Sequence, residues 1–395
     1  MKIEDIKVKR ILDSRGEETV EVKILSEGIE EKASVPMGKS LGTHEAICLD
    51  CEKIEKNLPE FLKNIKNLDF NTSKDFDKFL IEEGGTNKEK IGANFILGLS
   101  IAFARILAKK EDLELWEYLK KEYMKQRENK IEGQAKTFIP GLMINIIGGG
   151  IHSFNNLDFQ EYWLVVDKYT CLPAGRDYNA DLHGYFNELL AKILNIINKL
   201  EEKLPRPLGR NDEGALCTNF SDNYEPFLFL NEFKNELEMG TDIAANQITK
   251  SVNWGRIYEK LKLLGVKYLE DPFGENEFEY FANLRKQEFK IIGDDLTVTN
   301  IERLKIALEK NSVDGVIVKP NQVGTILETF EFVNLAKENN LFTIFSHRSG
   351  ETNDHWIIDI GIAFDGDFFK IGPPLQGERV AKYNRLRDIL ENLYL

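Results

Sequence analysis

Apolar and polar residues alternate near the start of the chain, and the pattern changes to a helical spacing further on. Residues 3 to 12 and 18 to 26 alternate around the segment SRGEE, which predicts a β-hairpin with Gly16 in its turn. Apolar positions then recur at helical spacing from residue 88 to 110 and again through LELWEYLKKEY. The pattern therefore predicts a first domain made of a short sheet backed by helices.

The segment KKEYMKQRENKIEGQAK, residues 120 to 136, has almost no apolar face and precedes the apolar run TFIPGLMINII. We place a domain boundary there, between residues 1–135 and 136–395. Beyond it, strands and helices alternate: FQEYWLVV is a predicted strand, and residues 176 to 203 are a predicted amphipathic helix. The sequence thus predicts an α/β protein with an α+β domain followed by a βα barrel.

Five ionisable residues stand behind apolar runs at nearly regular intervals in the second half of the chain. The intervals are about 23 to 28 residues, which is the length of one strand, one helix and two loops. A βα barrel builds its active site from residues at the carboxyl ends of its strands. One such charge could mark the first solvated residue after a strand, but five in register favour a pocket. They are Glu270, Asp294, Lys319, His347 and Lys370.

Composition narrows the class of protein. The 395 residues are 42% hydrophobic and 30% charged, which is typical of a globular chain with a large core. The formal net charge of −14 argues against nucleic acid or an anionic membrane as a partner, although it allows an anionic substrate in a local cationic pocket. The start of the chain lacks the apolar core of a signal peptide, and the most apolar stretch, residues 95 to 108, is too short to cross a bilayer. We expect a cytoplasmic protein.

Two further motifs carry little weight. Cys48 and Cys51 form a CxxC pair, but a zinc ribbon needs a second pair, and four cysteines are too few and scattered for a disulfide framework. The glycines of IIGGGIH lack the spacing and the downstream acid of a dinucleotide site. We therefore assign neither motif a function.

Three carboxylates are candidate metal ligands: Asp242 in EMGTDIAAN, Glu270 in LEDPF and Asp294 in GDDLTVTN. At one barrel mouth their charges repel, and a hard divalent cation is the ordinary way to hold them together. Magnesium is the expected ion. The neighbouring Asp271 and Asp295 are interpreted as cap or turn carboxylates.

A base and an anion site are predicted beside this metal. Nearby cations and partial burial should lower the pKa of Lys319, which would make its amine a usable base near neutral pH. Arg348, Ser349 and Lys370 offer a guanidinium, a hydroxyl and an ammonium suited to a phosphate. The alternative for Arg348 is a surface salt bridge. These groups suggest proton removal beside a carboxylate on a phosphorylated small molecule.

Proton removal beside a carboxylate creates an aci-carboxylate dianion, which metal ions acting as Lewis acids stabilise. The departing group then needs an acid. Glu213 in NDEGA and Glu161 in FQEYW both fall on predicted strand ends or loops, and either could supply it.

Several of these segments match a known family, and the chain resembles enolase over essentially its full length. SHRSGET and GDDLTVTN, in the family's order and spacing, are the most specific matches. A lysine base working with magnesium is also the known pairing of this superfamily. The other matching segments are ILDSRGEETVEV, ASVPMGKSLGTHEA, GGGIHSFNNLDFQEY, NDEGA, TDIAAN, YLEDPF, KPNQVGT and GERVAKYNRL.

The resemblance implies roles for individual residues. Lys319 would take the C2 proton of 2-phosphoglycerate, Glu213 with Glu161 alongside would assist departure of the C3 hydroxyl, and His347 would lie near the leaving group. Ser40 would help to hold a second magnesium. The residues implied as first-magnesium ligands are Asp242, Glu270 and Asp294, and the implied substrate contacts are His152, Glu161, Arg348, Ser349 and Lys370. The implied fold is a small α+β domain on an eight-stranded barrel, assembled as a homodimer or a ring of dimers.

Three segments depart from the family pattern. The family's lid loop reads SGASTG, whereas this chain has MGKSLG at residues 37–42, and Phe154 replaces an expected glycine. The family's GDEGG is NDEGA here. Altered mobile loops can change rate or specificity while the chemical residues stay intact. The alternatives to an active enolase are therefore an enolase-like paralogue acting on another hydroxy acid and a non-catalytic enolase-like protein.

Overall fold

A computed structural model of the chain describes residues 1–39, 42–128, 140–153, 155–166, 182–204, 209–233, 237–249 and 251–392. The chain begins with an antiparallel sheet in the order β1–β2–β3. Strands β1 (Ile3–Leu12) and β2 (Glu18–Ser26) form the predicted hairpin, with Gly16 at φ 81° in its turn, and β3 (Ile29–Ser34) pairs with the other edge of β2.

Helices cover this sheet. The predicted helices near residues 88–110 and 115 are confirmed as α3 (Ala93–Lys110) and α4 (Leu115–Glu128). Helix α3 begins late because Gly92 has a φ of 88°, which is not helical. Two earlier helices, α1 (Cys51–Ile65) and α2 (Ser73–Gly84), lie outside the elements predicted from the pattern.

The rest of the described chain forms a closed barrel with surrounding helices. The ring order is β4–β5–β7–β8–β9–β10–β11–β12, and β12 pairs back onto β4, while β6 pairs with β4 outside the ring. The fold class predicted from the sequence is thereby confirmed. The strands are β4 (Gly141–Gly148), β5 (Glu161–Val166), β6 (Leu216–Cys217), β7 (Glu238–Asp242), β8 (Val266–Glu270), β9 (Lys290–Gly293), β10 (Gly315–Val318), β11 (Phe342–Ser346) and β12 (Phe368–Lys370).

The barrel helices follow the strands. The predicted helix at 176–203 is present as Leu182–Lys203, and its first six predicted positions, like the boundary at 135/136, lie outside the described residues. No helix in the described part of the chain is long and apolar enough to cross a membrane. The helices are α5 (Leu182–Lys203), α6 (Glu225–Leu230), α7 (Trp254–Leu263), α8 (Phe278–Arg285), α9 (Ile301–Lys310), α10 (Ile326–Glu338), α11 (Trp356–Ala363) and α12 (Gly377–Asn392).

One strand of the ring runs in the opposite direction. Strand β5 is antiparallel to both β4 and β7, whereas the other ring pairs are parallel. The strict alternation of strand and helix expected from the sequence is therefore wrong at this point, because an antiparallel pair needs no crossover helix. As a consequence, Glu161, the first residue of β5, lies beside Asp242, the last residue of β7.

The barrel interior is filled by a cluster of buried apolar side chains, which we call the inner apolar layer. Gly240 leaves room for it, since a Cβ there would lie 2.8 Å from Trp163 and 2.9 Å from Tyr268. Such filling makes the barrel a packed core rather than a pore. The layer consists of Met143, Trp163, Val165, Tyr268, Ile292, Ile317, Ile344 and Phe368.

Buried polar contacts join the N-terminal helices and sheet to the barrel. The Asp354 carboxylate accepts hydrogen bonds from Arg105 Nη2 at 2.6 Å and from the Ser34 backbone N–H at 3.0 Å. Burial opposes ionisation of Asp354, but Arg105 outweighs it and lowers the pKa of Asp354 to about 2. In α2, Asp77 Oδ2 accepts the backbone N–H of Leu327 at 2.8 Å. These contacts fix the N-terminal segment that reaches the barrel mouth.

Candidate active site

A small cavity of about 30 Å³ lies at the carboxyl ends of the parallel barrel strands. Gly38 and Lys39 reach it from the N-terminal part of the chain, and the remaining lining comes from the barrel. Polar side chains dominate this lining. The barrel residues are His152, Gln160, Glu161, Glu213, Asp242, Ala244, Gln247, Asp271, Asp294, Asp295, Lys319, Ser346, His347, Arg348, Ser349 and Lys370.

The regular series predicted from the sequence is found at the strand ends. Glu270 and Lys370 are the last residues of β8 and β12, and the other three directly follow β9, β10 and β11. Side chains two positions apart on a strand share a face. For this reason Lys319 lies one layer above Ile317 of the inner apolar layer. The same relation holds for Glu270 above Tyr268, Asp294 above Ile292 and Lys370 above Phe368.

Lys370 is a buried ammonium shared by three carboxylates. Its Nζ donates to both oxygens of Glu270, at 2.8 and 3.0 Å, and lies 3.2 Å from Glu161 Oε2 and 3.6 Å from Asp242 Oδ2. It also lies 4.7 Å from the centre of the Trp163 ring. Burial lowers the pKa of Lys370, but the surrounding carboxylates outweigh burial and leave it raised. Lys370 is therefore charged and holds the acidic cluster together.

One ammonium does not neutralise the acids around it. Burial raises the pKa of Glu161 to about 7 and that of Asp242 to about 6, although Lys370 opposes both shifts. Burial also raises the pKa of Glu270 well above its ordinary value, again against Lys370. The cluster thus has an excess of carboxylate oxygens, the ligands that Mg²⁺ and Ca²⁺ prefer.

Lys319 is largely buried, with 13% of its side chain exposed, and it donates to Asp294 Oδ2. Burial, Arg348 and Lys370 lower the pKa of Lys319, as expected from the sequence, but the Asp294 carboxylate outweighs them and leaves that pKa raised. The prediction of a lowered pKa is therefore wrong for this arrangement. The reason is the direct ion pair, which position along the chain does not reveal.

Glu213 and Glu161 are neighbouring buried carboxyl groups. The turn that carries Glu213 is shaped by Asn211, whose Oδ1 accepts the backbone N–H groups of Glu213 at 3.0 Å and Ala215 at 2.9 Å. Asn145 Nδ2 donates to Glu213 Oε2 at 3.2 Å, and Trp163 Nε1 donates to Glu161 Oε2 at 2.6 Å. Besides burial, the like charge of Glu213 contributes to the raised pKa of Glu161. Such a pair can hold a proton for transfer near neutral pH.

Arg348 is not a surface residue. Its Nη1 and Nη2 each donate to the Glu45 carboxylate at 3.0 Å, and Nη1 also donates to Asn321 Oδ1 at 3.1 Å. The guanidinium is buried, so the alternative of a surface salt bridge is wrong. The next residue, Ser349, accepts the backbone N–H of Lys39 at 2.8 Å through its Oγ.

Two buried histidines complete the lining. Burial, Arg379 and Lys370 hold the pKa of His347 well below its ordinary value, and neither of its ring nitrogens has a hydrogen-bond partner among the described residues. Burial likewise lowers the pKa of His152, whose Nδ1 has no partner within the same residues. Both rings are neutral near pH 7 and have ring nitrogens available to a ligand.

A second acidic group overlaps the predicted metal ligands. Among the described residues, Asp271, Asp294 and Asp295 have carboxylate oxygens within 4.8 Å of one another. Asp271, however, already accepts the backbone N–H groups of Asp294 at 3.0 Å and Asp295 at 2.7 Å. This bonding agrees with the interpretation of Asp271 as a turn carboxylate and leaves Asp294 as the residue common to both sets.

Some site residues fall outside the sequence predictions or outside the described residues. Ser40 and Phe154 belong to the latter group. Sequence reasoning missed Gln160, whose Nε2 donates to Asp242 Oδ2 at 2.9 Å, and Glu45, the partner of Arg348. The position of Gln160 next to Glu161 was a usable signal, but nothing in the local pattern links Glu45 to Arg348.

A closed α/β barrel with an α+β domain at its mouth, and with lysines and carboxylates gathered in one cavity, defines an α/β-barrel enzyme with an acid–base site. The chain matches the family models for the enolase N-terminal domain over residues 3–119 and the enolase C-terminal TIM barrel domain over residues 229–394. It is 36% identical to an enolase of Saccharolobus solfataricus, with 98% of this chain and 95% of the relative covered. For an enolase of Sulfurisphaera tokodaii the identity is also 36%, with 100% and 96% covered. The chain belongs to the enolase family and is a lyase, a phosphopyruvate hydratase.

Proposed function

We propose that the chain catalyses the Mg²⁺-dependent, reversible dehydration of 2-phosphoglycerate to phosphoenolpyruvate, as in glycolysis and gluconeogenesis. The observation that carries the proposal is the single cavity that Lys319, Glu161, Glu213 and Arg348 line together. A base, an acid pair and an anion-binding group are the parts that this elimination requires.

In the proposed reaction Lys319 Nζ accepts the proton from C2, and the electron pair of the C–H bond moves into the substrate carboxylate. That electron pair then returns to form the C2–C3 double bond as the C3–O bond breaks, and the departing hydroxyl takes a proton from the Glu213–Glu161 pair and leaves as water. The raised pKa of Glu161 supports this acid role. His347, buried and neutral, is proposed to lie near the departing hydroxyl.

The residues fit a divalent cation. Asp242, Glu270 and Asp294 are buried and crowded, and their oxygens outnumber the ammonium groups of Lys319 and Lys370 beside them. We propose these three as the ligands of one Mg²⁺. When bound, the cation supplies Lewis-acid stabilisation for the charge that gathers on the substrate carboxylate. If Asp294 bound the cation, it would no longer pair with Lys319, and the contact that raises the pKa of Lys319 would be lost.

Substrate contacts are proposed for five residues. A phosphate would have to compete with Glu45 for the Arg348 guanidinium, which makes the pair a source of selectivity for strong anions. Ser349 lines the same cavity as Arg348, and Lys370 is proposed to face the substrate carboxylate. The remaining proposed contacts are His152 and Glu161.

Three finer features belong to the same proposal and rest on the family resemblance. A second Mg²⁺ is proposed at Ser40. The assembly is proposed to be a homodimer or a ring of dimers, which sedimentation velocity would distinguish. The compartment is proposed to be the cytoplasm.

The direct test is the ultraviolet absorbance of the enol product when purified protein meets 2-phosphoglycerate, first with Mg²⁺ and then with excess chelator. We expect a rise that the chelator stops. A flat trace from folded protein with Mg²⁺ present would contradict the proposal. Turnover of a different hydroxy acid in its place would identify an enolase-like paralogue.

A further inference from the structure

Lys39 contacts two different loops at the cavity mouth. Its backbone N–H donates to Ser349 Oγ at 2.8 Å, and its Nζ lies 2.9 Å from Asp212 Oδ2. Ser349 follows β11, whereas Asp212 precedes β6. One residue of the N-terminal segment therefore bridges two parts of the barrel mouth.

The segment before Lys39 is fixed against the Arg348 loop. Met37 N–H donates to the Gly350 carbonyl at 2.8 Å, and Gly350 N–H donates to the Met37 carbonyl at 2.9 Å. Gly38 lies so close to the guanidinium that a Cβ there would be 1.9 Å from Arg348 Nη2. Backbone pairing and close packing thus fix one side of the segment, and Lys39 provides a contact to the other side.

Asp212 lies on a turn that is held by side-chain hydrogen bonds. It lies between Asn211, whose side chain accepts two backbone N–H groups of the same turn, and Glu213. Gly214 has a φ of 85° and packs near Pro373 and Gln376, so the backbone has little freedom there. A side chain that binds Asp212 is therefore held at a set distance from the neighbouring Glu213.

We propose that the Lys39–Asp212 ion pair is a positioning contact that holds segment 37–39 at a set distance from Glu213. This inference rests on the proposed function, in which Glu213 is an acid and Arg348 binds phosphate. The pair thus fixes the position of the phosphate-binding side of the cavity, at Arg348, relative to the acid side, at Glu213. Lys39 is 40% exposed and Asp212 32% exposed, so the effect of losing the pair is modest, up to about fivefold.

The competing role for Lys39 is direct attraction of an anionic substrate. The two roles make opposite predictions for Asp212. If Lys39 attracts the substrate, loss of Asp212 frees its charge and lowers KM, whereas if the ion pair positions the segment, loss of either partner lowers kcat similarly.

The test compares Lys39→Met, Asp212→Asn and the double variant in steady-state kinetics with 2-phosphoglycerate and Mg²⁺. We expect each single substitution to lower kcat about two- to fivefold with a smaller change in KM, and the double variant to be no slower than either. Lys39→Arg, which can still bridge to Asp212, should stay near the wild-type rate. Lys23→Met is the matched control, since Lys23 binds Glu30 at 2.7 Å with similar exposure on the sheet. Additive losses, or a lowered KM in Asp212→Asn, would overturn the inference.

A second readout does not depend on turnover. Hydrogen exchange of the Lys39 amide, measured without substrate, should be about two- to fivefold faster in Lys39→Met and in Asp212→Asn and unchanged in Lys23→Met. Equal exchange in all the proteins would contradict the positioning role. If the wild-type protein fails to convert 2-phosphoglycerate, the proposed function is wrong, and the exchange comparison still decides whether the pair fixes the segment.

Discussion

The inner apolar layer and the charged cluster above it are built from the same strands but obey different rules. In the lower layer, Ile317, Ile292 and Ile344 are fully buried aliphatic side chains that fill volume. In the upper layer, Lys370 and Glu270 are equally buried, yet each is held by ionic contacts. Volume filling stabilises the fold, whereas buried charge costs stability unless it is paired. The comparison teaches that two side chains on the same face of one strand, only two residues apart, can have different roles: the first stabilises the fold, and the second contributes to the chemistry.

The largest expected effect is that of Lys319→Ala on turnover. A positioned base contributes about 10²- to 10⁴-fold to rate. We therefore expect kcat to fall about 10²-fold or more while the circular dichroism spectrum stays native. The product absorbance assay measures the loss. Lys290→Ala, at the exposed start of β9, is the control and should retain the wild-type rate. An unchanged rate for Lys319→Ala would remove that residue from the proposed mechanism.

Ile317→Ala, two residues earlier on the same strand, should have the complementary effect. Truncating a fully buried isoleucine should lower the free energy of unfolding by about 2–5 kcal/mol while the folded fraction keeps its kcat. Urea unfolding and active-site-normalised kinetics check the two parts. Ile306→Ala, at a side chain 42% exposed, should cost less than about 0.5 kcal/mol. A large loss of kcat in Ile317→Ala would mean that the layers are not separable.

Asp77 tests the cost of a buried carboxyl group that has no ammonium partner among the described residues. Burial raises the pKa of Asp77 to about 7, so the native state binds a proton that the unfolded state releases at lower pH. The free energy of unfolding should therefore fall as pH rises from about 4 to 7, by up to about 1.4 kcal/mol per pH unit from this group. Asp77→Asn should lack that part of the fall in urea unfolding at pH 5, 6, 7 and 8. Asp75→Asn, on the exposed side of α2, should keep it, and parallel curves for Asp77→Asn and wild type would refute the assignment.

The smallest expected effect is that of Trp163→Phe, at the contact between the two layers. The substitution removes the N–H donor to Glu161 and weakens the ring face under Lys370. We expect a loss of about 1–2 kcal/mol in the free energy of unfolding and a decrease of about three- to tenfold in kcat. Trp254→Phe, on α7 away from the cavity, should leave kcat unchanged. Equal effects of the two substitutions would show that Trp163 only fills space.

Much of the barrel site could be predicted because strand and helix repeat at a near-constant length. That regularity fixed Glu270, Asp294, Lys319, His347 and Lys370 at strand ends, and all five are found there. The reversed direction of β5 was not predictable in this way, since a buried strand reads alike in both directions.

Contacts between distant segments were also beyond the pattern. Glu45 and Arg348 are 303 residues apart, and no periodicity links them. The raised pKa of Lys319 depends on its ion pair with Asp294, a matter of side-chain geometry. Helices α1 and α2 left a usable local signal, because Asp50 and Thr72 are N-cap residues whose side chains accept backbone N–H groups.

The pairing of β12 with β4 has a consequence for the order of folding. The ring closes between its first and last strands, so this step carries a large loop-closure entropy and should come late. Lys370 is on the closing strand, and Glu161 and Glu270 are on strands made earlier. Until β12 docks, Glu161 and Glu270 lack the Lys370 ammonium that contacts them both in the folded barrel. Docking of β12 thus closes the ring and also brings in Lys370, the positive charge that the acids share. A chain truncated before β12 would lack both the closing strand and this lysine.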